Sequence, residues 1–174
     1  MTDERKLLLL GLLRQTEMHG YVLNAHLQGM VPISLKKPTA YNLLERMEQD
    51  GWVDHREEFT GDRSRKVYSV TESGERAFAR LLREQLGTYI HPELPGLVSM
   101  SFSDDLDASE ALDLLGKRRA ELSEYRASLI SDGESHGDEL HSGSSYHVIE
   151  YVRRLADLEA RFLDEVIKGL ESNI

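Results

Sequence analysis

The sequence predicts a mainly α protein with a small β-hairpin: an N-terminal winged helix-turn-helix followed by a C-terminal long-helix dimerisation domain. Three observations carry that prediction. Apolar residues recur at helical spacing in three successive segments, and the pattern then changes to a strand period between residues 52 and 70. Residues 1–90 carry 13 basic and 13 acidic side chains, whereas residues 91–174 carry 8 basic and 18 acidic, so the entire net charge of -10 sits in the second half. That second half consists mainly of two long stretches with narrow apolar seams and charged flanks.

The elements follow in order. Residues 5–14 form a leucine-dense segment, apolar on nearly every side, which suits a helix at the centre of a small core. After a break at residues 15–18, a second helix starts near His19-Gly20-Tyr21 and runs to about Gln28, with Val22, Leu23, Leu27 and Met30 at helical spacing. A turn over residues 31–37 leads to Pro38, whose fixed φ and missing N–H suit the first turn of a helix. The third helix, residues 38–50, places Tyr41, Leu44 and Met47 on one face and stops at Gly51. Residues 52–59 and 66–70 read as two strands around a turn rich in Gly, Asp and Ser. Thr71 is placed to cap a closing helix through Phe78, Leu81, Leu82 and Leu86.

Residues 91–103, with Pro92, Pro95 and Gly96, read as a structured connector packed against the first domain. Asp107 followed by Glu110 is a capping-box signature. Beyond it Ala108, Leu115, Leu122 and Leu129 repeat every seven residues, flanked by Leu112 and Tyr125. Residues 132–145 are polar and read as a loop or a frayed helix end. In the final helix, residues 146–171, Tyr151, Leu155, Leu158, Phe162, Val166 and Leu170 share one stripe. Two such helices cannot bury their seams against each other alone, and a second copy of the chain is the economical solution.

Composition excludes several classes. With no cysteine, the chain has no disulfide scaffold, thiol nucleophile or Cys-ligated zinc. Its longest apolar run, residues 7–13, is too short to span a bilayer and no cleavage site follows, so the cytoplasm is expected. No nucleophile with a partnered base and no phosphate-cradling glycine loop is present, so no catalytic residue is expected. His136, His141 and His147 lack the spacing of a helical ligand pair, and the expectation is no metal and no cofactor.

A net charge of -10 ordinarily argues against a nucleic-acid partner, but the winged half is neutral and its cations cluster. Lys36 and Lys37 lead into the third helix, and Arg63, Arg65 and Lys66 crowd the wing. A winged helix presents these two places to a duplex, the third helix to the major groove and the hairpin to a phosphate or the minor groove. The expected DNA-binding set is Lys36, Lys37, Thr39, Tyr41, Asn42, Arg63, Arg65 and Lys66, with Asn42 the candidate for adenine readout. Glu45, Glu48 and Asp50 are expected toward the other end of the helix. His19 is expected to satisfy backbone groups at a helix start, and Trp52 to anchor the sheet edge.

Four fragments also carry a resemblance: Leu10-Gly11-Leu12-Leu13, Met18-His19-Gly20-Tyr21-Val22-Leu23, residues 39–51 (TAYNLLERMEQDG) and Tyr68-Ser69-Val70-Thr71-Glu72-Ser73-Gly74. In this order and with these gaps, from about Leu7 to Leu86, the chain resembles the PadR family of bacterial transcriptional regulators. It departs from the family at Lys36-Lys37-Pro38, where small residues and glycine are usual, and at Trp52, where Leu or Ile is usual. The resemblance implies a homodimeric regulator, most often a repressor, binding a palindromic operator in double-stranded DNA. It divides the chain into a DNA-binding domain over 1–90 and a helical dimerisation and effector domain over 91–174. It further implies a small aromatic effector near the junction of the domains, for which His19, Tyr21, Trp52, Tyr89, His91, Met100 and Phe102 are the candidates. The alternative is a winged-helix protein–protein interaction module whose working surface is the acidic helical domain.

Overall fold

The computed structural model describes residues 2–29, 37–60, 63–92, 94–135 and 143–172. They form two compact units, divided after His91. The first contains α1 (Thr2–Gln15), β1 (Met18–His19), α2 (Gly20–Gly29), α3 (Lys37–Gln49), β2 (Val53–Thr60), β3 (Arg63–Val70) and α4 (Glu72–Leu86). The three strands make an antiparallel sheet in the order β1-β3-β2. This is a winged helix, as the sequence predicts.

The core explains why leucine crowds α1. Leu9, Leu10, Leu12 and Leu13 are all buried, and around them close Leu23 of α2, Ala40, Leu43, Leu44 and Met47 of α3, Val53 and Tyr68 of the hairpin, and Ala77 and Leu81 of α4. A helix that meets partners on several sides has no polar face to spare there. Gly51 ends α3 at φ 70°, the left-handed region that a side chain resists. Thr71 caps α4: its hydroxyl accepts from the Gly74 N–H at 3.0 Å and donates to the Gly51 carbonyl at 2.6 Å.

One element departs from expectation. The break before α2 contains β1, whose two residues pair with β3, Met18 opposite Tyr68 and His19 opposite Val67. His19 is therefore an edge-strand residue that also leads directly into α2. Its Nε2 lies 3.0 Å from the Glu58 carboxylate. A two-residue strand has no alternation to read, so only the pairing partner defines it.

The second unit opens with short 3-10 segments, Pro95–Leu97 and Ser99–Asp105, and continues as α5 (Ala108–Ser135) and α6 (Gly143–Glu171). The Asp107 carboxylate accepts from the Glu110 N–H at 2.9 Å, which caps α5. Both helices are longer than expected: α5 continues through residues 132–135 and α6 takes in 143–145, while 136–142 lie outside the described residues. Arg119 meets Asp164 at 2.7 Å and Arg126 meets Asp157, so α6 recedes as α5 advances and the pair is antiparallel.

Small side chains fill the seam between them. Val152, Ala156, Ala160 and Leu163 of α6 are buried, as are Ala111 and Leu129 of α5. This seam lies one residue on from the stripe the sequence singles out, about 100° around the helix. Tyr151, Leu155, Leu158 and Phe162 of that stripe remain exposed, at 63%, 39%, 55% and 44%.

Arginine and carboxylate pairs flank the seam. Hydrogen bonds from Arg153 and then Arg154 hold the Glu150 carboxyl down at about 2, against an ordinary 4.5. A depressed carboxyl contributes stability above its unfolded value and loses it as pH falls through the folded one. Between pH 4.5 and about 2 the wild-type chain should therefore lose more helix stability than Glu150→Gln. Acid titration followed by helical circular dichroism checks this, and identical curves would refute the assignment. No helix among the described residues is long and apolar enough to cross a membrane.

Candidate nucleic-acid interface

Between the N-terminus of α2, the first turns of α3 and the tip-side half of the wing lies a cleft of about 610 Å3, lined by His19, Gly20, Tyr21, Tyr41, Glu45, Ser64, Arg65, Lys66 and Tyr68. Four elements converge here because the core fixes each from behind. Ala40, Leu43, Leu44 and Met47 bury one face of α3, which turns Asn42, Glu45, Arg46 and Gln49 outward. Tyr68, buried on β3, forms the floor; burial, then the Glu48, Tyr41 and Glu45 groups, push its phenol pKa up.

The walls are ordered by stacking. The His19 and Tyr21 rings lie 5.5 Å apart and 18° from parallel. The Arg65 guanidinium stands 5.3 Å from the Tyr21 ring centre. This cation is thus held over an aromatic face at the lip of the cleft, a preorganised position for a phosphate oxygen. Gly20 permits the closure: a Cβ there would stand 2.8 Å from Tyr41 Cε1 and 2.9 Å from its hydroxyl. His19 Nδ1 is buried with no hydrogen-bond partner among the described residues.

Of the expected DNA-binding set, Tyr41, Arg65 and Lys66 line this cleft. Thr39 is half-buried in the first turn of α3, and Asn42 is exposed on its outer face. Lys37 opens α3 and Arg63 opens β3, but their side chains, and all of Lys36, lie outside the described residues. Glu45 corrects an expectation. It lies in the cleft beside the cations, since a residue four after Tyr41 shares its helix face. A carboxylate there repels phosphate and is suited to accept from a cytosine amino group in the major groove.

The expected effector set divides. His19 and Tyr21 line the cleft. Trp52 is packed against the core, with the Lys6 ammonium 4.7 Å over its ring. Tyr89 and His91 form an edge-on pair with centroids 6.3 Å apart at the end of the first unit. Met100 and Phe102 belong to the second unit, the first half-buried and the second exposed.

A second cluster was not singled out from the sequence. Glu48 at the end of α3 contacts His55 Nδ1 on β2, and Asp54 accepts from the His55 N–H at 2.7 Å. The donor atoms of Glu48, Asp54 and His55 lie within 4.8 Å of one another. Asp54 and His55 are strand neighbours and point to opposite faces, so the group reads as a hydrogen-bonded clasp between α3 and the wing. Its signal in the sequence is only a polar alternation in β2.

Residues 9–80 match the model of the transcriptional regulator PadR-like family. Among solved structures, the chain is similar to Bacillus subtilis PadR in complex with operator DNA, with a TM-score of 0.79 and 20% identity over 95% of this chain and 98% of that one. The same protein in complex with p-coumaric acid gives 0.74 and 20% over 95% and 94%. The PadR-like transcriptional regulator BC1756 of Bacillus cereus gives 0.74 and 18% over 98% and 99%. No curated protein sequence matches the chain. Residues 9–80 thus resemble the transcriptional regulator PadR-like family, and over nearly its whole length the chain has the fold seen in PadR.

Proposed function

We propose that the chain is a sequence-specific DNA-binding transcriptional regulator that acts as a homodimer on a palindromic operator and represses its target. The observation that carries this reading is the cleft in which Tyr41 of α3 meets Arg65 and Lys66 of the wing. A duplex backbone laid along it reaches both cations while the exposed Asn42 and Arg46 face base edges. The exposed stripe of α6 supports the homodimer, which would set two such clefts about 34 Å apart.

The rival, a protein-binding acidic surface, is less well supported. Of the 18 acidic side chains of residues 91–174, Asp157, Glu159, Asp164 and Glu150, on the two long helices, are paired with arginines of their own unit. Carboxylates so engaged offer little to a basic partner.

Titration of the chain against its own upstream promoter region at several salt concentrations tests the proposal. Affinity should fall steeply as salt rises, because each neutralised phosphate releases counterions. Arg65→Ala and Lys66→Ala should each reduce the salt slope by about one unit per binding site. A slope near zero, or no binding at all, would remove the regulator reading. The finer expectation is release by a small aromatic molecule, as the p-coumaric acid complex of the Bacillus subtilis relative favours. Addition of p-coumaric acid to the bound duplex, with competing release as the expected result, examines that part.

A further inference from the structure

The wing ends on an apolar side chain for which the first unit has no use. Phe59 is 70% exposed, although it is the last residue but one of β2 and is held in the ladder opposite Ser64. The period of two places it on the strand face of His55 and Glu57 and, across the ladder, of Ser64, Lys66 and Tyr68. Ser64, Lys66 and Tyr68 line the cleft, as does Arg65 from the other strand face, and Phe59 lies beside them across the ladder from Ser64 at the tip. Its surroundings are prepared for an anionic polymer. Arg65 is set over Tyr21, not on a carboxylate, and no ion pair among the described residues takes up Lys66. Of the two carboxylates behind the tip, Glu58 is met by His19, while Glu57 stands across the ladder from Lys66 with no ion pair between them.

From this placement we infer that Phe59 is a minor-groove wedge, resting on the DNA-binding reading above and naming a contact beyond it. The ring packs against deoxyribose and a base step beside each half-site while the wing cations hold the flanking phosphates. The groove edge offers apolar sugar surface between its phosphates, and an inserted apolar side chain loosens a step and bends the duplex. A bent operator in turn brings more of its backbone to the protein.

The wedge and the phosphate contacts leave different signatures. A phenyl ring releases no counterion, so removing it changes affinity without changing the salt slope. For a duplex selected from a random pool by the full-length wild-type chain, Phe59→Ala should weaken binding about tenfold. The salt slope should stay as in wild type, and the end-to-end energy transfer of a doubly labelled duplex should report a smaller bend. Phe59→Leu should recover part of both, whereas Arg65→Ala should lower the slope and leave the bend. Because Phe59 is exposed, helical circular dichroism of the variant should match wild type. If Phe59→Ala binds and bends the duplex like wild type, or lowers the slope as Arg65→Ala does, the wedge is wrong while the operator reading stands. If the wild-type chain selects no duplex, the operator reading falls and the wedge with it.

Discussion

Replacing Gly74 by alanine should unfold the winged unit more readily than any other single-methyl change in it. A Cβ at this position would stand 2.0 Å from the Trp52 carbonyl oxygen and 2.8 Å from Val70 Cγ1. The carbonyl has nowhere to retreat. It accepts from the Thr71 N–H at 3.1 Å, while the Trp52 N–H donates to the Met47 carbonyl at 2.8 Å. Thr71 also donates to Gly51 and receives Gly74. The end of α3, the left-handed turn, the start of β2 and the cap of α4 are thus one hydrogen-bonded joint, and the methyl group must spread it. Overpacking against backbone at this distance should cost about 3 kcal/mol or more. In a domain of this size that corresponds to a fall of roughly 4–8 °C in Tm per kcal/mol. Trp52 is the chain's single tryptophan and sits in the joint, so its fluorescence reports this unit alone. Gly11 supplies the contrast. A Cβ there meets only Phe78 Cε2 at 3.5 Å, within α1, and Gly11→Ala should stabilise by roughly 0.5–1 kcal/mol. A Gly74→Ala chain that melts with wild type would show that the joint can open at no cost.

The joint was partly legible in the sequence, and the reason is local. Gly51 and Thr71 are punctuation whose meaning depends on the few residues beside them, so a stop and a cap can be read directly. The crowding of Gly74 on Trp52 is tertiary and leaves no periodic trace. The same division runs through the cleft. Arg65 and Lys66 announce themselves as a cationic cluster in a turn region, whereas β1 is two residues long and exists only because β3 passes beside it. Without β1, His19 could not be placed against Glu58 or Tyr21 stacked on it. Glu45 stands beside the cations because it shares a helix face with Tyr41, and the face rather than the distance along α3 decides its place. In the second unit, periodicity identified an apolar stripe on α6 but could not say what it meets. Alanine is weakly apolar and draws little notice, yet Ala156 and Ala160 let the two helices approach and take the internal seam. The bulkier stripe is left facing outward.

That outward stripe carries the second large expectation. On the proposed homodimer, Leu158→Asp together with Phe162→Asp should leave the chain monomeric. Both side chains are half-exposed in the single chain and lie along α6 with Tyr151 and Leu155. Apolar surface of this extent on one helix face is stabilised only when a partner covers it. The substitutions leave Val152, Ala156, Ala160 and Leu163 in place, so α5 and α6 should still pack and helical content should be unchanged. Two carboxylates per chain at the centre of a two-fold interface would face their own symmetry copies, with repulsion added to lost burial. The consequence for DNA is larger than for the protein. A dimer binds its second half-site as an intramolecular event, and losing that linkage should lower operator affinity by about 10²–10⁴-fold. Each monomer keeps its cleft, with Tyr41, Arg65 and Lys66 intact. Its salt slope should therefore fall to about half the wild-type value and not to zero, because half the phosphates are still met. Light scattering gives the mass and a salt series gives the slope. A doubly substituted chain that remains a dimer would show that this stripe is not the interface. A monomer that retains full operator affinity would show that one winged unit suffices, and that the palindrome is not what the chain reads.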